Sequence, residues 1–142
     1  MPLNMIKLCV GAESLDDLRN WGQNRLAAME EAGEEVCLFH TTRMTPKRAA
    51  ELLDGGSLYW VIKGNVQARQ KLLELRPVVD TEGIRRCKLM LDSQIIATEW
   101  QPKRAFQGWR YLPTEATPKD LSLANETLPG HLKAELAELG LL

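Results

Sequence analysis

The 142-residue chain has no pair of cysteines close in sequence. Cys9, Cys37 and Cys87 are odd in number and form no C-x-x-C, so neither a disulfide framework nor a zinc ribbon has support. Each sits among apolar residues and reads as a small buried hydrophobe. Cys87, flanked by Arg85, Arg86 and Lys88, is the one candidate for a cation-activated thiolate. No apolar stretch approaches the ~20 residues that span a bilayer. The apolar run near the N-terminus is too short for a signal-peptide core. A cytoplasmic protein without membrane contact is expected. There is no G-x-G-x-x-G, P-loop, H-E-x-x-H or G-x-S-x-G. Metal-ligand spacing is missing as well, and no cofactor is implied. Histidine is scarce, with only His40 and His131. General acid–base chemistry would need His40 beside Asp54 or Glu99, and nothing in sequence brings them together.

Hydrophobic residues make up 44% of the chain and charged residues 26%, an ordinary globular balance. The net charge is −1, but it is unevenly spread. Residues 1–42 carry −4, residues 43–110 carry +6 and residues 111–142 carry −3. A basic middle between acidic ends points to a polyanionic partner. The plain alternative is that the acidic ends neutralise the middle in the folded chain.

Periodicity predicts a strand over 5–10, then a helix that Ser14 caps and Gly33 ends. A second strand covers 35–41. In "TPKRAAELLDGG", Thr45 reads as an N-cap, Pro46 as the first helical residue, and the helix closes by Asp54. "SLYWVI" (57–62) reads as a buried central strand, and 66–79 as a strand turning through "DTEG" into 84–91. A further strand is expected over 94–99, and a loop leading into a short strand over 101–113. After Pro113 the chain turns polar. It closes on "HLKAELAELGLL", where Leu132, Leu136 and Leu139 form one helical stripe. This helix docks on its own domain or forms a homodimer. The order implies an α+β fold with a curved, mainly antiparallel sheet and two or three helices. Residues 1–112 form the core domain. Residues 113–142 form a polar arm and an amphipathic helix packed on it.

Three polar clusters carry the functional signal. In "FHTTRMTPKR", His40 and Arg43 stand before a helix N-terminus, which suits an anion. "VIKGNVQARQ" supplies Lys63 and Arg69 around a glycine. "KRAFQGWRYL" interleaves Arg104 and Arg110 with Trp109, as single-stranded nucleic acid binding requires. The structural alternative for each is a cap, a turn, and ordinary strand alternation.

The blocks "IKLCVG", "LFHTTRMTPKRAAELLDGGSLYWVIKG", "QARQ" and "FQGWRYL" resemble an alphaproteobacterial family, domain of unknown function 1489. That resemblance implies an alphaproteobacterial, cytosolic source and carries no activity. At fold level the chain looks like PUA-like modules, including the ASCH and EVE types, small barrels that bind RNA or modified bases. It departs from the ASCH pattern G-x-K-x-x-E-x-R. Gly56 is followed by "SLYWVIKG", and the acidic position is absent.

The function expected is binding of RNA or a nucleotide-like anion through a basic, aromatic-containing face. Its residues are His40, Arg43, Lys63, Arg69, Arg104, Trp109 and Arg110. One alternative is a small enzyme on a phosphorylated or nucleoside-like substrate, with His40 as general acid or base. The other is an adaptor that works through the C-terminal helix.

Overall fold

A computed structural model of the chain describes residues 3–121. In chain order the elements are β1 (Leu3–Leu8), α1 (Leu15–Ala32), β2 (Leu38–Thr42), α2 (Ala49–Leu52), β3 (Ser57–Ile62), β4 (Asn65–Val79), β5 (Arg85–Leu91), β6 (Ile96–Pro102) and β7 (Trp109–Pro113). The fold is α+β. The helix expected at 131–139 lies outside the described residues.

The run "SLYWVI" has no polar face to offer solvent, and β3 is buried at every position. It lies between β1, which runs parallel to it, and β4, which runs antiparallel. Every other pairing is antiparallel, and the strand order is β2-β5-β4-β3-β1-β7 with β6 also on β4. The 15-residue β4 serves two sets of neighbours. Its first half pairs with β3 and β6, and its second half with β5. The β3–β4 turn places Lys63 at φ 48 and Gly64 at φ 80, so a two-residue hairpin with left-handed backbone fixes this register. Asp80 shapes the next hairpin by accepting the Glu82 and Ile84 N–H groups, each at 2.9 Å.

Strand alternation sorts the core into two clusters. Leu3, Met5, Leu58, Trp60, Ile62, Ala68 and Leu89 share one with Leu18 of α1 and Leu52 of α2. Ile6, Tyr59, Val61, Val66 and Leu112 form the other. Helix α1 begins as expected. Ser14 Oγ accepts the Asp17 N–H at 3.1 Å, and Gly33 closes the helix in a left-handed conformation. Gly22 is buried against the sheet. A Cβ there would sit 3.3 Å from Leu38 Cδ1, so glycine lets the helix approach β2 closely.

Helix α2 departs from expectation. It is a single turn, its N-cap is Arg48, and Thr45 and Pro46 precede it as irregular chain. The cause is tertiary. The Lys47 and Arg48 N–H groups donate to the Tyr111 hydroxyl at 3.0 and 3.1 Å. The Met44 carbonyl accepts both the Thr42 hydroxyl at 3.0 Å and Trp109 Nε1 at 2.8 Å. These partners bond backbone groups of the segment as irregular chain, and local helix propensity yields. The same bonds join the two ends of the strand order, because β2 feeds the 43–48 loop and Trp109 and Tyr111 belong to β7. The sheet therefore curls until its ends meet. They meet through side chains with no β2–β7 ladder, so the sheet is not closed into the expected barrel. Between 101 and 113 the expected loop is shorter. β6 runs on to Pro102, and β7 starts at Trp109.

Candidate functional site

At the carboxyl end of β1 the chain leaves the sheet and crosses to the first turns of α1. Ligand sites of sheet proteins often form at such a place. Here a cavity of about 400 Å³ lies between α1, β2 and the sheet. Its floor follows from the register. Lys7 pairs with Trp60 on β3 and with Trp109 on β7, and residues paired across strands project to one face. The same alternation puts Lys7 on the face of Leu3 and Met5, which are buried. A lysine is thus built into an otherwise apolar row. Burial lowers its pKa.

His40 comes from β2. Its ring meets Trp60 edge-on, with centroids 5.4 Å apart and planes at 89°. Trp60 is itself fixed. Its Nε1 donates to Gln70 Oε1 at 2.8 Å, and Gln70 Nε2 donates to the Asp92 carbonyl at 3.0 Å. Arg25 comes from α1 and lies 4.7 Å from the Trp21 ring centroid and 4.9 Å from that of Phe39. Trp21 stands one turn before Arg25, as i,i+4 neighbours do.

The cavity wall carries more positive than negative charge, Lys7 and Arg25 against Asp17. Among the described residues Lys7, Arg25 and His40 make no ion pair with a carboxylate, and neither ring nitrogen of His40 has a hydrogen-bond partner. Asp17 also lines the cavity, but its carboxylate accepts the Glu13 N–H at 3.2 Å, which ties it to the start of α1. The His40 pKa falls to about 4, first through burial and then through the charges of Lys7 and Arg25. The imidazole is neutral near pH 7, and the field around it is positive. An anion would relieve that field. Cys9, also on the wall, has a pKa raised by burial, so it is a thiol and not a nucleophilic thiolate.

The residues singled out in the sequence are not gathered on one face. His40 lines the cavity, and Trp109 stands next to Lys7 in the β1–β7 register. Trp109 is half-buried, packs on Tyr111 at 4.9 Å and donates to Met44. Arg110 pairs in register with Ile6 and Arg69 with Tyr59, so both project to the opposite face of the sheet. There Arg110 lies 4.8 Å from the Phe106 centroid. Arg69 donates to both oxygens of Asp120, at 2.7 and 2.8 Å, and these hydrogen bonds lower the Asp120 pKa. Lys63 is exposed in the β3–β4 turn, 3.7 Å from Glu13. Arg43 and Arg104 are exposed in loops. The helix N-terminus expected beside His40 and Arg43 starts only at Ala49, and α2 is a single turn. Neither Asp54 nor Glu99 lines the cavity with His40. Cys87 is fully buried and burial raises its pKa, as fits a small buried hydrophobe and not the alternative of an activated thiolate. Among the described residues no group of His, Cys, Asp and Glu could hold a metal ion. No helix there is long and apolar enough to cross a membrane.

Sequence reasoning missed Lys7 and Arg25. The signal for Lys7 was present: a lysine inside "MIKLCV", on the side of a strand that Leu3 and Met5 mark as buried. Arg25 carried only its i,i+4 spacing to Trp21, which many surface helices share.

No curated protein and no solved structure matches this sequence. A family model does, over residues 5–142, and by that match the chain belongs to the family described as protein of unknown function DUF1489.

Proposed function

We propose that the protein binds a nucleotide-like anion, an aromatic ring carrying a phosphate, in the cavity between α1, β2 and the sheet. The observation that carries this reading is the convergence of Lys7, Arg25 and His40, without carboxylate partners, on a space walled by Trp21, Phe39 and Trp60. The cations suit a phosphate, and the rings suit a base. About 400 Å³ falls within the range of small-ligand sites. Gln70 is a positioning residue, because it holds Trp60 in place. The seven residues read from the sequence thus reduce, at this cavity, to His40.

An enzyme acting on a phosphorylated or nucleoside-like substrate draws on the same free nitrogens of His40. Binding is the better supported reading. Among the described residues no carboxylate orients the ring, and a base of pKa about 4 abstracts protons weakly at neutral pH. The adaptor reading depends on residues beyond 121, outside those described.

Titration calorimetry in low salt tests the proposal. A nucleoside 5′-monophosphate should bind, and the unphosphorylated nucleoside and inorganic phosphate should each bind at least tenfold more weakly. Lys7→Ala should cost the monophosphate about tenfold, or ~1.4 kcal/mol, in a variant that keeps its fold. Absence of monophosphate binding at millimolar concentration, or an unchanged affinity in the Lys7 variant, refutes the reading.

A further inference from the structure

Phe39 forms part of the cavity wall, yet it also carries a second cation on its ring. Arg25 lies 4.9 Å from its centroid, and Lys88 Nζ, from β5, lies 4.4 Å from it. Lys88 enters through the β2–β5 register, where it pairs with Thr41, itself a residue of the cavity wall. On the other side of Arg25 stands Trp21 at 4.7 Å, with 49% of its surface open to solvent. Rings and cations therefore alternate from Trp21 through Arg25 and Phe39 to Lys88, across three elements that are distant in sequence. Arg25 belongs both to this series and to the cavity. Among the described residues neither Arg25 nor Lys88 is paired with a carboxylate within 4 Å.

We infer that the ligand of the cavity is one nucleotide of a single strand, and that Trp21, Arg25, Phe39 and Lys88 carry its neighbour. This rests on the proposed nucleotide-like ligand and extends it. A free mononucleotide would use Arg25 and have no need of Lys88, which lies outside the cavity. A strand leaving the cavity places its next phosphate and base beside an exposed ring and a further cation. That is the arrangement single-stranded nucleic acid binding uses: charge along the backbone and aromatic surface for stacking. The ring contacts also hold the Arg25 and Lys88 heads in place before the strand arrives, which lowers the entropy lost on binding.

The test compares a nucleoside 5′-monophosphate with an eight-nucleotide oligouridylate, by calorimetry and fluorescence anisotropy over a salt series, on the full chain. The octamer should bind at least tenfold more tightly than the monophosphate. Lys88→Glu should weaken the octamer about tenfold or more and leave the monophosphate within twofold. Lys88→Gln should flatten the octamer's log–log salt slope by about 0.7, the value of one phosphate contact on a single strand. Near-ultraviolet circular dichroism identifies any variant that has lost its packing, and the second variant keeps the test open in that case. Monophosphate binding with an octamer no tighter, or an octamer indifferent to both Lys88 variants, overturns this inference and leaves the cavity proposal standing. Failure of both probes to bind in low salt overturns the two together.

Discussion

At the scale of single residues, His40 shows how a side chain legible in sequence acquires its character only from the fold. Its place after a strand and before a polar loop marked it as a candidate. Its low pKa comes first from burial in the fold, and then from Lys7, 33 positions earlier, and Arg25, 15 positions earlier. The folded pKa of about 4 lies below the ordinary value of 6.5. The folded state therefore binds fewer protons than the unfolded state between those two values. Stability contributed by neutral His40 is fully present above pH 6.5 and is lost as the pH falls toward 4, after which it levels off. The loss should reach about 2 kcal/mol once solvent screening at the partly exposed ring is allowed for. Urea unfolding of the wild type and of His40→Gln from pH 7.5 to 4 measures it. The difference between the two curves should change across this window, and a constant difference would remove the argument. Lys7 was harder to read because an apolar run with one lysine looks like any strand with one solvated position. Only the β1–β3 and β1–β7 registers reveal that its face is covered.

At the scale of elements, the two helices show which local signals the fold respects. Both had a hydroxyl cap in sequence, Ser14 and Thr45. Ser14 keeps its role because α1 is 18 residues long and nothing else competes for its first N–H groups. Thr45 loses its role because the aromatic side chains of β7, more than 60 residues later, take up the backbone groups of the 43–48 loop. Ser14→Ala should therefore cost about 1 kcal/mol, and Thr45→Ala less than about 0.5 kcal/mol. Equal costs in chemical denaturation would mean that Thr45 caps after all. The strands were more legible. β3 has no polar face, and the β4–β5 hairpin carries Asp80 and Gly83 at its turn, signals that depend on neighbours a few residues away. The departures at α2, and at the loop between β6 and β7, are places where partners distant in sequence decide.

At the scale of the whole molecule, local reading gave the α+β class and could not give closure. Whether a curved sheet becomes a barrel depends on whether its first and last strands form a ladder, and no pattern within either strand encodes that. Here β2 and β7 are joined by Trp109 Nε1 on the Met44 carbonyl and by the Tyr111 hydroxyl under the Lys47 and Arg48 N–H groups. The functional reading divides along the same line. The basic middle of the sequence is distributed over both faces of the sheet, so its charge alone does not mark a site. A junction made by two side chains also has a consequence in time. A ladder opens only as strands peel apart, but this junction can part with every strand still paired, at a free energy well below that of global unfolding. The Lys47 and Arg48 amides should then exchange with deuterated solvent by local opening, faster than the amides of β3. Tyr111→Phe should accelerate those two and leave the β3 amides almost unchanged. Equal protection factors in the two places would mean that the ends of the sheet open only when the whole protein does.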